Sequence, residues 1–182
     1  IIRGARMAAE GGDRVAGDHM GMLGTLINGI AMREAMREAG VSCSLFSGFP
    51  VPTMCETFSQ RGVLSALDAG DVVVLAGGTG SPFFTTDTGA ALRAAEIGAD
   101  AILKATQVDG VYSADPKTNP DATRYSTLTL DEALKQGLAI MDTAALALAR
   151  DNALPIVVFS IHQPGALGAV VAGDDMGTRI TP

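Results

Sequence analysis

An α/β sandwich with a mainly parallel sheet is the fold class this sequence predicts, and three observations predict it. Short apolar runs alternate with segments of helical period along the 182 residues, the pattern of strands and helices packed in layers. The run Val72–Ala76 is apolar throughout, which suits a strand buried on both faces of a parallel sheet. Residues 77–87, rich in glycine and hydroxyls, then lead from that strand into a helical segment, the kind of join at which such sheets hold their ligands. Hydrophobic residues make up 47% of the chain and the mean hydropathy is +0.28. That is enough for one sizeable core, so a single domain over residues 1–182 is expected.

The elements follow in order. Ile1-Ile2-Arg3-Gly4 begins without a methionine and reads as the end of a strand or turn already under way, so an upstream segment is expected. Leu23, Leu26, Ile27 and Ile30 recur at helical spacing and lead to Arg33, Glu34, Arg37 and Glu38 before Gly40, a C-terminal stop. Residues 44–46 suit a strand, Pro50 and Pro52 break the chain after it, and Val63, Leu64 and Leu67 mark a helix ending at Gly70. Beyond the glycine stretch, residues 87–97 read as a helix and residues 101–106 as a strand. Asp109-Gly110 is a turn signal, and residues 116–121 form a polar, proline-punctuated excursion. Thr129-x-x-Glu132 is a capping box opening a helix near Ala133. Residues 142–150 make a second helix, whose leading aspartate suits the helix dipole. Pro155 precedes a strand at 156–159, residues 166–171 form a short helix, and residues 177–181 a final strand.

The net charge of −7 and a pI near 4.7 argue against a general nucleic-acid surface, which needs a basic face. A bound anion must be held locally instead, by backbone amides and a few cations. Cys43 and Cys55 match no metal-ligand spacing and read as reduced thiols. No stretch reaches transmembrane length without charge or glycine, and no signal peptide is visible, so a soluble, cytoplasmic protein is expected.

Two strand ends carry ligand chemistry. In residues 77–87 the glycines admit an anion close to the backbone, and the helix that follows offers unpaired N–H groups and the positive end of its dipole. Thr79, Ser81, Thr85 and Thr86 add hydroxyls. The stretch is neither a Gly-Lys-Ser/Thr phosphate loop nor G-x-G-x-x-G, and it also reads as a glycine turn followed by a Thr/Asp helix cap. The second end is residues 104–116. Lys104 suits a phosphate, the Asp109-Gly110 turn suits exposed amides, and Tyr112 suits a flat ring; equally, these are a surface lysine, a turn and a half-buried aromatic, with Asp115-Pro116 starting a turn. Together the two ends suggest two anionic ligands meeting, the geometry of phosphoryl transfer.

Four ordered motifs sharpen the reading. Gly17-Asp18-His19-Met20-Gly21-Met22-Leu23, then Asn28-Gly29-Ile30-Ala31-Met32-Arg33, then residues 78–87, then Lys104-Ala105-Thr106 with Val108-Asp109-Gly110-Val111 and Ala114-Asp115-Pro116, resemble the bacterial uridylate kinases of the amino acid kinase family. The resemblance runs the length of the chain and ends in family style with Pro155-Ile156, Pro164-Gly165-Ala166-Leu167 and Gly177-Thr178. It implies a three-layer α/β/α sandwich, unrelated to the P-loop kinases, and a nucleoside monophosphate kinase that passes a phosphoryl group from MgATP to UMP.

On that resemblance Asp18 accepts from the nucleotide ribose, and Thr79, Gly80, Ser81, Pro82, Phe83, Phe84, Thr85 and Thr86 surround UMP. Asp87 stands beside the reacting phosphates, where it orients a lysine or Mg²⁺, and Arg3 reaches the transferring phosphates. Thr106, Tyr112 and Asp115 hold ATP, Lys104 is a further phosphate contact, and Asp142 is either near the reacting groups or a helix N-cap. Mg²⁺ arrives with ATP, and no protein-held metal site is implied. His19 and His162 need no catalytic role, because the attacking phosphate oxygen is already anionic. Roughly, residues 1–98 form the UMP and oligomer side and residues 99–182 the ATP side. A homohexamer with GTP as activator and UTP as inhibitor is implied, and Arg33 lies in a segment similar to the part that meets neighbouring subunits. The helix of residues 20–33 is either that packing surface or, first, an internal core helix.

The family's opening Lys-x-Ser-Gly-Glu strand and its Gly-Gly-Gly-Asn turn do not occur in these 182 residues. That lysine stabilises charge on the transferring group, so a molecule that began at Ile1 is expected to catalyse little or nothing. Two other readings stay open. One is a kinase of the same fold acting on a carboxylate or carbamate, which would lack the Gly17-Asp18-His19-Met20 start and residues 82–87. The other is a non-catalytic nucleotide- or oxyanion-binding member of the fold.

Overall fold

The computed structural model describes residues 3–182 and divides into two compact units, one ending at Gly89 and one beginning at Ala90. Ile1 and Ile2 of the expected strand end lie outside the described residues. Arg3 is extended, and Gly4 opens a helix, α1 (Gly4–Ala9), where a strand end or turn was expected. Packing explains the glycine: a Cβ on Gly4 would sit 2.6 Å from Cγ and 2.7 Å from the amide nitrogen of Asp18. Asp18 belongs to α2 (Arg14–Glu38), which starts at Asp13, whose carboxylate accepts the Val15 amide at 2.9 Å. Asp18-His19-Met20 therefore fills the second turn of α2 rather than the helix start, and Asp13, which the sequence reading did not single out, is its cap.

The first unit holds a three-stranded parallel sheet of β1 (Cys43–Ser47), β2 (Glu56–Thr57) and β3 (Val72–Ala76), in the order β2-β1-β3. The register sets Cys43 against Val72 and Ser47 against Ala76. α2 covers one face, where Gly29 meets Leu45, Val74 and Ala76. On the other face α3 (Gln60–Asp68), capped by Ser59, brings Gly62 against Phe46. This is helix, sheet, helix layering. β3 departs from the expected burial on both faces: Val72 is 40% and Leu75 36% exposed, and among the described residues β3 is an edge of its sheet, paired with β1 alone. The core-helix expectation for residues 20–33 holds for one side of α2 only. Gly24, Leu26 and Gly29 are buried, while Met20, Leu23 and Ile27 form an exposed apolar stripe.

The division between the units falls inside α4 (Thr86–Ile97). In the second unit β4 (Ile102–Thr106), β5 (Thr127–Thr129), β6 (Ile156–Ser160) and β7 (Thr178–Thr181) pair in the order β4-β6-β7-β5. β4 with β6 and β5 with β7 are parallel, and β6 with β7 is antiparallel. The capping box opens α5 (Leu130–Gln136) as the sequence predicts, with the Glu132 amide donating to Thr129 Oγ1 at 3.1 Å and the Thr129 amide to the Glu132 carboxylate at 2.8 Å. α6 (Thr143–Asp151) supplies Ala145, Leu146 and Ala149 to a core shared with Ile102, Leu130, Ile156, Val158 and Ile180. α7 (Ala166–Ala172) packs on β6.

The polar excursion is closed at its root. Fully buried Thr178 accepts from the Val111 amide at 2.9 Å and donates to the Tyr125 carbonyl at 2.5 Å, and the Tyr125 amide donates to the Val111 carbonyl at 2.8 Å. Gly110, whose turn was expected to present amides, is buried against Thr178 and Arg124.

Candidate functional site

At the carboxyl edge of the first sheet the chain after β1 and the chain after β3 run together, and the Gly48 amide donates to the Ala76 carbonyl at 2.8 Å. Gly80 has φ +84°, and a Cβ there would lie 2.9 Å from the Gly48 carbonyl carbon and nearer still to its oxygen. Only glycine satisfies both conditions. The Gly77 amide donates to Thr25 Oγ1 at 2.8 Å, and that hydroxyl donates to the Met22 carbonyl at 2.7 Å, so α2 holds the loop at its first residue. At the far end Thr85 Oγ1 accepts from the Asp87 and Thr88 amides at 3.1 and 3.3 Å. The cap of α4 is thus Thr85. Asp87, for which capping was the alternative reading, sits half-buried in the first turn, where its charge complements the dipole.

Within the loop the Gly80 amide donates to the Gly77 carbonyl at 3.0 Å, and the Thr79 hydroxyl accepts from the Ser81 amide at 3.2 Å. The amides of Gly80, Ser81, Asp87 and Thr88 are therefore engaged inside the protein. An anion at this loop is therefore met by groups other than these four amides. Ser81, Thr86, Phe83 and Phe84 are exposed and Pro82 is half-buried.

Asp18 ties the loop down. Its Oδ2 accepts from Arg14 Nε at 2.7 Å and from the Phe83 amide at 2.8 Å. Phe83 has φ +71°, a left-handed conformation that non-glycine residues seldom adopt, and the Arg14 guanidinium lies 5.3 Å from its ring centroid. Burial pushes the Asp18 carboxyl upward, but the Phe83 amide, the Arg14 hydrogen bond and charge, and the His19 charge outweigh it and hold the group below its usual value. Exposed Arg3 precedes Gly4, the residue that abuts Asp18. The fold therefore gathers the start of α1, Asp18 and the turn at Phe83. Arg14, Thr25 and Gly48 are the supporting residues that the sequence reading missed. Arg14 stands four residues before Asp18 on one helix face, a legible signal; Thr25 lies 52 residues from Gly77, with no local one.

In the second unit Lys104 is half-buried on β4 and Thr106 ends that strand, its hydroxyl donating to the Val108 carbonyl at 2.7 Å and accepting from the Val108 amide at 3.0 Å. Tyr112 donates to Asp109 Oδ1 at 2.8 Å, and Arg124 donates to the Asp109 carbonyl and carboxylate at 3.1 and 3.3 Å. The hydrogen bond to Asp109, then burial and the Asp109 charge, raise the phenol's pKa against the opposing pull of Arg124. Asp115 is exposed and starts a turn, its carboxylate accepting the Lys117 amide at 2.9 Å. Asp142 caps α6, accepting the Ala145 amide at 3.0 Å, as its alternative reading held. His162 Nε2 contacts Gln107 Oε1 at 2.5 Å, and His19 is exposed.

A cavity of about 590 Å³ opens elsewhere in the first unit, lined by Arg33, Arg37, Ser44, Thr53, Cys55 and Thr57 among others. Among the described residues no group of three or more His, Cys, Asp or Glu is placed to hold a metal, and no helix is long and apolar enough to cross a membrane.

The chain is similar to known proteins. Residues 3–160 match the amino acid kinase family. The chain is similar to the uridylate kinase of Chelativorans sp. (strain BNC1), 59% identical over 173 residues that make 95% of this chain and 70% of that protein. It is 58% identical to the uridylate kinase of Brucella anthropi over 181 residues, 100% of this chain and 75% of the relative. Among solved structures, the UMP kinase of Bacillus anthracis superimposes with a TM-score of 0.95 at 38% identity, covering 100% of this chain and 75% of that one.

Proposed function

Because the chain belongs to the amino acid kinase family, and to its uridylate kinase branch, we propose that it transfers the γ-phosphoryl group of MgATP to UMP, giving UDP and ADP for pyrimidine nucleotide synthesis. The observation that carries the proposal is the clasp of Asp18 on Phe83, which fixes the 77–87 loop against the helix bearing Gly17-Asp18-His19-Met20. In the reaction an oxygen of the UMP phosphate attacks the γ-phosphorus. The bond from that phosphorus to the β–γ bridging oxygen breaks, and its electron pair stays on ADP. The nucleophile is already anionic, so the protein's task is positioning two anions and offsetting their repulsion.

The residues divide that work. Asp18 accepts from the ribose, and residues 79–86 enclose UMP. Arg3 and Lys104 offset phosphate charge, and Asp87 orients a cation at the reacting phosphates. Thr106, Tyr112 and Asp115 hold ATP; Mg²⁺, entering as MgATP, would offset negative charge on the phosphates. Asp142 caps α6, so a part for it in the transfer rests on resemblance alone. We assign roughly residues 1–98 to UMP and to assembly and 99–182 to ATP, in a cytoplasmic homohexamer. The exposed stripe of Met20, Leu23 and Ile27 supports assembly through α2. Arg33 and Arg37 at the 590 Å³ cavity support an anionic regulator, with GTP as activator, and UTP as inhibitor completes the proposal.

A coupled ADP-release assay on the intact protein with UMP, CMP and dTMP tests the function. Strong preference for UMP is expected, and comparable turnover of CMP would overturn the UMP assignment. Binding of both nucleotides without ADP release would instead identify a non-catalytic member of the fold.

A further inference from the structure

If Asp18 takes the acceptor ribose, as proposed above, a second residue must decide which of its oxygens does so. Oδ2 receives two hydrogen bonds, from Arg14 Nε and from the Phe83 amide, and among the described residues Oδ1 receives none. The pair is sheltered, with side chains 30% and 13% exposed. Oδ1 lies on the side of Gly4, since a Cβ on Gly4 would collide with it, and Gly4 is the neighbour of Arg3. Arg14 also reaches the loop directly, its guanidinium over the ring of Phe83 at the one turn of the loop where a non-glycine residue is held at positive φ. One side chain thus fixes both the carboxylate and the turn.

We infer that Arg14 is a positioning residue of the acceptor site. It shares Oδ2 with the Phe83 amide and so reserves Oδ1 for a ribose hydroxyl, while its planar face keeps the Phe83 turn in place. An ordinary i,i+4 ion pair on a helix needs only a cation, and lysine serves it nearly as well. The arrangement described needs a planar group that donates from Nε and stacks at once, which lysine does not provide.

The test compares Arg14→Lys and Asp18→Asn in the intact protein, reading KM for UMP and for ATP and the preference for UMP over 2′-deoxy- and 3′-deoxy-UMP. Arg14→Lys should leave the thermal midpoint and the KM for ATP near their starting values. It should raise the KM for UMP about tenfold, the scale of one charge-assisted hydrogen bond, and shrink the preference over the deoxy nucleotide that Asp18→Asn also shrinks. If Asp18→Asn does so and Arg14→Lys does not, the inference fails while the acceptor reading stands. If Asp18→Asn leaves ribose preference intact, the acceptor reading itself fails. Phe83→Leu, which keeps the amide and removes the ring, separates the stack: an unchanged KM for UMP in that variant would remove stacking from the role of Arg14.

Discussion

Replacing Gly4 with alanine sets two effects of opposite sign against each other. Alanine is the better helix former by about 1 kcal/mol, so helix propensity alone predicts a more stable protein. The structure predicts the reverse. The new Cβ would sit 2.6 Å from Asp18 Cγ and 2.7 Å from its amide nitrogen, about 1 Å inside ordinary van der Waals contact. The nitrogen belongs to the second turn of α2 and cannot give way cheaply, and the carboxylate cannot swing aside without leaving Arg14 and the Phe83 amide. Overpacking of this kind costs roughly 1–3 kcal/mol; less the propensity gain, a net loss of up to about 2 kcal/mol remains, which lowers the thermal midpoint by up to roughly 8 °C in a protein of this size. Displacing Asp18 should also raise the KM for UMP several-fold and leave that for ATP alone. Thermal melts with steady-state kinetics on the same variant decide the matter. A raised midpoint with an unaltered KM for UMP would refute the close packing of α1 on Asp18.

Three further outcomes are expected. Gly80→Ala, at φ +84° and against the Gly48 carbonyl, should displace the loop and lower kcat/KM for UMP at least about tenfold; wild-type kinetics would mean that the loop relaxes freely. Since Thr85 caps α4, Thr85→Ala should cost about 1 kcal/mol of stability, whereas Asp87→Asn should barely move the melt yet lower kcat by at least roughly tenfold; an unchanged kcat would take Asp87 out of the chemistry. Asp71, bound by Ser42 and Ser44, and Glu132, bound by Thr129, join Asp18 in having lowered folded-state pKa values. Their stabilisation is complete above the unfolded carboxylate values of about 4 and is lost as pH falls through the lowered folded values. Chemical denaturation from pH 5 downward should show that loss, and Asp71→Asn should reduce it; an identical acid decline in the variant would count against the role of Asp71.

What was legible in the sequence was local. The Thr129 and Glu132 pair and the residues that end α2 and α3 carry their signals within a few positions, and they formed as read. β2 and β5 were not anticipated, because two- and three-residue strands are defined by the partners they pair with, β1 and β7, and have no period of their own. α1 was missed because Gly4 at its start has no side-chain cap and is admitted only by its packing on Asp18. The loop residues and Asp18 were readable as motifs, yet the hydrogen bond that joins Phe83 to Asp18 spans 65 positions and belongs to the fold. The exposure of Val72 has the same origin, since strand order and not strand composition decides which strand is an edge.

The buried hydroxyl of Thr178, clasping Val111 on one side and Tyr125 on the other, separates the length of the excursion from its anchorage. A loop held at its neck feels added residues only through the entropy of a longer circuit, about 0.6 kcal/mol for each doubling. Extra chain spliced in at residues 117–121 should therefore leave the pairing of β5 with β7 untouched, which makes that tip a place to insert a fluorescent or affinity tag. Thr178→Val would remove the side-chain clasp and leave the direct Tyr125–Val111 hydrogen bond to hold the neck, so the same insertion that is silent in the native chain should become costlier once that hydroxyl is gone.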